Sequence, residues 1–133
     1  MGDNRVLFAP REKTERIIFD VRKTEDKPLE DIFNIMRKNG RFDTGYHFFI
    51  HKDGSIEKDR HEHEVAGFQF KHCETAIAVK VTRPYTSAQK RAKEDLIKEL
   101  KKKYPKIKIR YAKFKTNNIL EEEELLLERK GEK

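Results

Sequence analysis

Four side chains in one stretch have the chemistry of soft-metal ligands: His61 and His63, two residues apart, and His72 with Cys73 nine residues further on. On a strand the first two histidines point the same way, and imidazole with thiolate suits zinc. The acids between them and the lack of a compact spacing favour solvent-exposed histidines instead. Cys73 as a nucleophile needs a base and an orienting group, and His72, its sequence neighbour, points elsewhere on a strand. It is the chain's one cysteine, so an intrachain disulfide and a four-thiolate site are excluded. No phosphate loop or dinucleotide fingerprint is present. A different kind of signal is Asp20, a carboxylate closing the otherwise apolar run Ile17-Ile18-Phe19-Asp20-Val21.

These residues must be positioned by a small α/β domain. The run at Ile17 to Val21 reads as a strand buried on both faces. After the loop Thr24-Glu25-Asp26 and Pro28, the residues Leu29, Ile32, Phe33, Ile35 and Met36 fall at helical spacing until Gly40, which predicts a helix with this stripe on a sheet. Gly45 to Ile50, continuing through the Asp53-Gly54 turn to Ile56, predicts the central strand and its hairpin partner. The irregular Arg60-His61-Glu62-His63-Glu64 stretch is a loop of the kind on which sites are built. Thr75 to Val81 is another strand, ended by Arg83-Pro84. Thr86 and Gln89 form a capping box that starts a helix running to about Lys103. Ala92, Leu96, Ile97 and Leu100 make its apolar face, and Ile107 to Tyr111 alternates as a last strand. The tail from Ile119 fits either a helix or an edge strand.

At 133 residues the chain is one domain, with 41% charged and 35% hydrophobic residues. No apolar run approaches the roughly 20 residues of a membrane helix, and the start Met1-Gly2-Asp3-Asn4 lacks signal-peptide features, so a cytoplasmic protein without a membrane partner is expected. The net charge is +7. Residues 119 to 133 carry six Glu against Arg129, Lys130 and Lys133, or −3, which leaves +10 on residues 1 to 118. Such a body favours anionic partners. Nucleic acid is a weaker expectation, because no zinc finger, RNA-recognition signature or basic region with heptads appears.

The order of elements, with Gly45-Tyr46-His47, Asp53-Gly54 and Ile77 with Val79 in sequence, resembles the zinc-dependent N-acetylmuramoyl-L-alanine amidases. Their fold is shared with the peptidoglycan recognition proteins, and the short lysozyme-amidases of T-odd phages are most similar. Arg5-Val6 with Phe8, Arg11-Glu12 with Thr14, and Ile18-Phe19 extend the resemblance, which covers residues 5 to 111. It implies a small mixed central sheet flanked by helices, an amidase-like domain over 1–118 with an amino-terminal arm at 1–14, and an acidic tail at 119–133. It also implies where a catalytic zinc would be held. The position of the first histidine falls on Asp20, that of the second on Ala112 or Lys113 according to a one-residue choice of register, and that of the third near Leu120 or Glu121. None of these is a histidine or cysteine. The family's Gly-Ser/Ala-His reads here as Ala66-Gly67-Phe68, and its Trp-His as Ile35-Met36. Tyr46 keeps the position of the family's catalytic tyrosine.

The resemblance and the missing ligands together lead to the expectation of a non-catalytic phage binding protein without a metal or other cofactor. Its ligand would be a small anion, such as a nucleotide-derived host defence signal or a peptidoglycan fragment. Tyr46, Phe68 and His47 would wall the cleft. Arg22, Lys80 and Lys113 would supply positive charge, with Lys113 pairing Asp20 where the metal stood. Two alternatives stand beside it. One is a regulator that binds RNA polymerase through the amino-terminal arm, as the resemblance to T-odd phage lysozymes implies. The other is an amidase with a rearranged zinc site built from Asp20, a stray histidine and Glu121.

Overall fold

Two runs that are apolar along almost their whole length fix the middle of the molecule. In a computed structural model, which describes residues 9–21, 25–38, 44–67, 70, 72–113 and 121–124, they form β1 (Arg16–Asp20) and β4 (Ala76–Val81). The two strands pair in parallel, Ile17 with Ile77 through Asp20 with Lys80. Around them the sheet is completed by β2 (Phe48–Ile50), β3 (Ile56–Lys58), β5 (Lys108–Lys113) and β6 (Glu121–Glu124), in the order β3-β2-β4-β1-β5-β6. β2 and β5 run parallel to the inner strands, whereas β3 and β6 are antiparallel. The stretch expected as the central strand is therefore β2, one place in from the edge. Its regular part begins at Phe48, because Gly45 turns the chain at φ 81° and Tyr46 and His47 take backbone bonds from Arg60 and Asp59 instead. Continuous burial on both faces, rather than aromatic alternation, marks the true centre.

The alternation of side chains across the pleat divides the core into two layers. Ile17, Phe19, Ile77, Val79, Val81, Ile109 and Tyr111 face helix α2 (Ser87–Lys103), which contributes Leu96 and Leu100. Ile18, Phe49, Ala76 and Ala78 face helix α1 (Leu29–Lys38), which contributes Ile32 with Leu29 and Met36. The alanines of β4 leave room on this side for the rings of Tyr46 and Phe70. Ile35 does not join the stripe and is 44% exposed, since Leu29, Ile32 and Met36 already follow the sheet-facing line. Phe33 is half-buried under the Arg37 guanidinium, 5.5 Å from its ring centroid.

Local signals close the elements as the residues predict. Thr86 accepts from the Gln89 N–H at 3.1 Å and its own N–H donates to Gln89 Oε1 at 2.9 Å, the reciprocal capping box. Gly54, at φ 89°, makes the hairpin turn between β2 and β3. The tail supplies an edge strand at Glu121–Glu124, and the remaining residues after 113 lie outside the described ones. Among the described residues no helix is long and apolar enough to cross a membrane.

Candidate functional site

Asp20 ends β1 with its side chain on the α1 side of the sheet, inaccessible to solvent. The register sets Lys80 directly beside it on β4, itself only 3% exposed. Lys80 Nζ lies 3.4 Å from Asp20 Oδ1, and the Tyr46 hydroxyl donates a short hydrogen bond to Asp20 Oδ2. The ammonium also stands 5.7 Å from the centroid of the Tyr46 ring. Burying a charge is costly unless it is paired and hydrogen-bonded, and here carboxylate, ammonium and phenol answer one another. The group sits at the carboxyl ends of parallel strands, the edge at which open α/β sheets bind ligands.

Tyr46 is fixed from several directions. Its ring stands edge-to-face against Phe49, with centroids 5.4 Å apart, and against Phe70, at 5.5 Å. Its N–H donates to Thr44 Oγ1 at 3.2 Å, and that hydroxyl in turn bonds Asp59. Phe70, Thr44 and Asp59 are supports of Tyr46 that sequence reasoning missed. Their contacts cross between loops, so no local spacing announces them.

The expected roles of the other residues resolve as follows. Asp20, Tyr46 and Lys80 come together, but Lys80 is the buried partner of Asp20 and not a freely presented cation. His47 is not a wall of the site: it is completely buried, its Nε2–H donates to the Glu64 carbonyl at 2.7 Å, and its Nδ1 accepts from the Ala78 N–H at 3.0 Å. Burial lowers its pKa from 6.5 to about 4, with Arg11 and Arg60 adding to the effect against the Glu64 bond. Both ring nitrogens are thus committed to joining β4 to the 60–64 loop. Of the two positions at which the resemblance seats a second metal ligand, Ala112 packs in the same core layer as Ile18 and Tyr46. Because Phe19 pairs with Tyr111, Ala112 stands level with Asp20. The side chain of Lys113, and Arg22 and Phe68 altogether, lie outside the described residues.

The loop from Arg60 to Glu64 is used for fastening. Arg60 donates to the Val65 carbonyl at 2.7 Å, and Glu62 accepts from Lys103 at 3.0 Å and from the Tyr104 hydroxyl at 3.1 Å. Arg11 donates to the carbonyls of Glu62 and Glu64, which ties residues 9–14 of the arm along the domain; residues 1–8 lie outside the described ones. His61, His63 and His72 are exposed, and burial followed by Glu74 raises the Cys73 pKa, the wrong direction for a nucleophile. Among the described residues no group of three His, Cys, Asp or Glu side chains is arranged to hold a metal ion.

Comparison with known proteins identifies the fold. The endolysin of Klebsiella phage KP32 is 27% identical over 113 residues, covering 75% of each chain. The N-acetylmuramoyl-L-alanine amidase LysC of Clostridium intestinale URNW superposes with a TM-score of 0.65 at 21% identity, over 82% of this chain and 78% of LysC. The chain carries the amidase/peptidoglycan-recognition fold. The same fold is seen in the ectodomain complex of peptidoglycan recognition proteins LCa and LCx bound to tracheal cytotoxin. That match has a TM-score of 0.64 at 16% identity and covers 84% of this chain and 76% of the other. No protein-family model matches the chain. Within this fold Asp20, Lys80 and Tyr46 lie buried together at the carboxyl ends of the parallel strands.

Proposed function

We propose that this chain is a non-catalytic binding protein on the amidase scaffold, which captures an anionic fragment of peptidoglycan at the edge beside Tyr46 and leaves it intact. One observation carries the reading: Asp20, where the resemblance seats the first metal ligand, is held by an ammonium 3.4 Å away, and of the two residues where it seats the second, Ala112 has no donor atom and Lys113 is a lysine. These residues do not fit zinc. A cation entering beside Asp20 would meet the charge of Lys80, and an ammonium has no lone pair to offer. Among the described side chains at these positions Asp20 is the one that could ligate, where a catalytic zinc takes three protein ligands. Without a metal to activate water, Tyr46 serves as a positioned hydroxyl that orients Asp20.

Support for the ligand class comes from the relatives, whose names concern the bacterial wall, and from the positive charge of residues 1 to 118. Lys113 is the last residue of β5, beside β1, and is proposed to meet the ligand's carboxylates or phosphates around the end of the strand, since along β5 it is Ala112 that shares the Tyr46 side of the sheet. A nucleotide-derived anion presents the same chemistry and is the competing ligand to titrate. Calorimetric titration with a muropeptide should show binding by the full chain, no release of peptide, and loss of binding in Lys113→Glu with the circular dichroism unchanged. Binding that survives this charge reversal places the ligand elsewhere. The hydrolytic alternative, with a metal site rearranged around Asp20, a stray histidine and Glu121, draws on the endolysin relative and on Tyr46, where the resemblance seats the catalytic tyrosine. It requires bound zinc and peptide release.

A further inference from the structure

A second polar cluster lies at the end of β2, separate from Asp20 and Lys80. His51 follows Ile50 and is 7% exposed. Its Nδ1 is 2.8 Å from Asp26 Oδ1, and its Nε2 is 2.6 Å from Glu57 Oε1. Asp26 comes from the connection between β1 and α1, and Glu57 from β3. The same Asp26 oxygen accepts from the Thr82 hydroxyl at 2.6 Å and the Lys52 N–H at 3.2 Å. The same Glu57 oxygen accepts from the N–H of Leu29, the first residue of α1, at 3.1 Å. One imidazole therefore joins three elements of the fold.

Counting protons decides how these contacts are made. An oxygen that already accepts from Thr82 and Lys52 is a carboxylate oxygen, so the proton on the Asp26 side is carried by Nδ1. On the Glu57 side a contact of 2.6 Å needs one more proton, either on Nε2 of an imidazolium or on the glutamic acid. Two lone pairs at that separation repel. We propose that His51 and Glu57 share one dissociable proton that latches the β2–β3 hairpin to the start of α1, and that losing it opens the latch. Burial acts to raise the pKa of Asp26, but the bonds from Thr82, His51 and Lys52 outweigh it and hold the group below its usual range, as an ionised acceptor requires.

Other charged groups nearby have separate engagements. Asp53, in the hairpin turn, accepts from the N–H and hydroxyl of Ser55 and faces His51 through space. Arg83 gives its carbonyl to the Asp26 N–H, and its guanidinium lies 5.6 Å from the Tyr85 ring centroid. Lys52 contributes its backbone N–H, and Thr82, just after β4, and Gln89, of α2, are neutral. The latch closes at the same sheet edge as Asp20, since Ile50 pairs with Val81, the residue after Lys80. It would couple that edge to pH whether or not a ligand binds there. The sign follows from the proton held: the closed form is favoured at low pH and lost as pH rises.

Glu57→Gln tests this, because a glutamine amide can donate to neutral Nε2 while its oxygen still accepts from Leu29. Hydrogen-exchange protection factors of the Leu29 amide are measured by NMR from acid to alkaline pH. In the unaltered chain protection should fall by about tenfold or more as pH rises, the weight of one charge-assisted hydrogen bond, and in Glu57→Gln it should stay level. Flat protection in the unaltered chain, or an equal fall in Glu57→Gln, overturns the proposal. Should that variant fail to fold, the unaltered chain still decides: the ring nitrogens of His51 and the carboxyl carbon of Glu57 must titrate together at one midpoint, and separate midpoints overturn it.

Discussion

Replacing Lys80 by methionine keeps the apolar stem of the side chain and deletes its charge. Asp20, buried completely, then loses the ammonium 3.4 Å away and keeps the Tyr46 hydroxyl. Removing one member of a buried pair costs about 3–5 kcal/mol, because the other charge is left uncompensated. With Tyr46 still donating, the lower end applies, about 3 kcal/mol, which moves a urea midpoint by about 1.5 M for a slope near 2 kcal/mol/M. Asp20→Asn should be destabilising for the reciprocal reason. The double variant carries neither charge and should recover most of the loss, since a buried pair exchanged for neutral groups is close to neutral in cost. Urea denaturation of the four chains at neutral pH gives the coupling directly. A Lys80→Met loss under about 1 kcal/mol, or a double variant whose loss equals the sum of the singles, refutes the pairing as the organising feature of the site.

Three further outcomes follow from the same geometry. Tyr46→Phe removes the hydroxyl from a buried carboxylate and should cost about 1–3 kcal/mol by urea denaturation, an unchanged midpoint being the contrary result. For His47, a pKa held at about 4 in the fold against 6.5 when unfolded means that the unfolded chain binds the extra proton between those values. Stability from this group is complete above about pH 6.5 and falls by roughly 3 kcal/mol as pH drops to about 4 and below, so His47→Gln should lose that part of the acid-side slope in melts followed against pH. At Gly54, φ is 89° and an added Cβ would stand 3.0 Å from the Ala88 carbonyl oxygen, so Gly54→Ala should lower stability by about 1–2 kcal/mol. A melting temperature that does not move contradicts this account of the turn.

Much of the fold is legible because its signals are local. The capping box at Thr86 and Gln89, the Asp53-Gly54 turn and the unbroken apolar runs each carry their structure in adjacent residues. Sheet order is different: β2 looked central because its aromatic alternation is conspicuous, whereas the inner places go to strands whose flanks are apolar on both faces. The site was half legible. Asp20 and Lys80 are each a charged residue near the end of an inner strand, and Lys80 shares the phase of Ala76 and Ala78, so a buried partner was implied. The expected pairing of Asp20 with Lys113 came from the resemblance, without knowledge of which residues the sheet sets side by side, and the side chain of Lys113 lies outside the described residues. His47 was misassigned because strand alternation says nothing of the Glu64 carbonyl and Ala78 N–H that claim its two nitrogens. Ile35 obeyed helical spacing yet fell beyond the width of the sheet-facing stripe.

The most direct test of the central claim is a native mass spectrum of the purified full chain after incubation with a muropeptide. The account predicts a complex whose added mass is that of the whole muropeptide, with no zinc and with no free peptide in solution. A protein heavier by one zinc ion together with cleaved muropeptide contradicts it and makes the chain an amidase. A spectrum of unliganded protein at every muropeptide concentration contradicts it too, and removes this ligand class from the site.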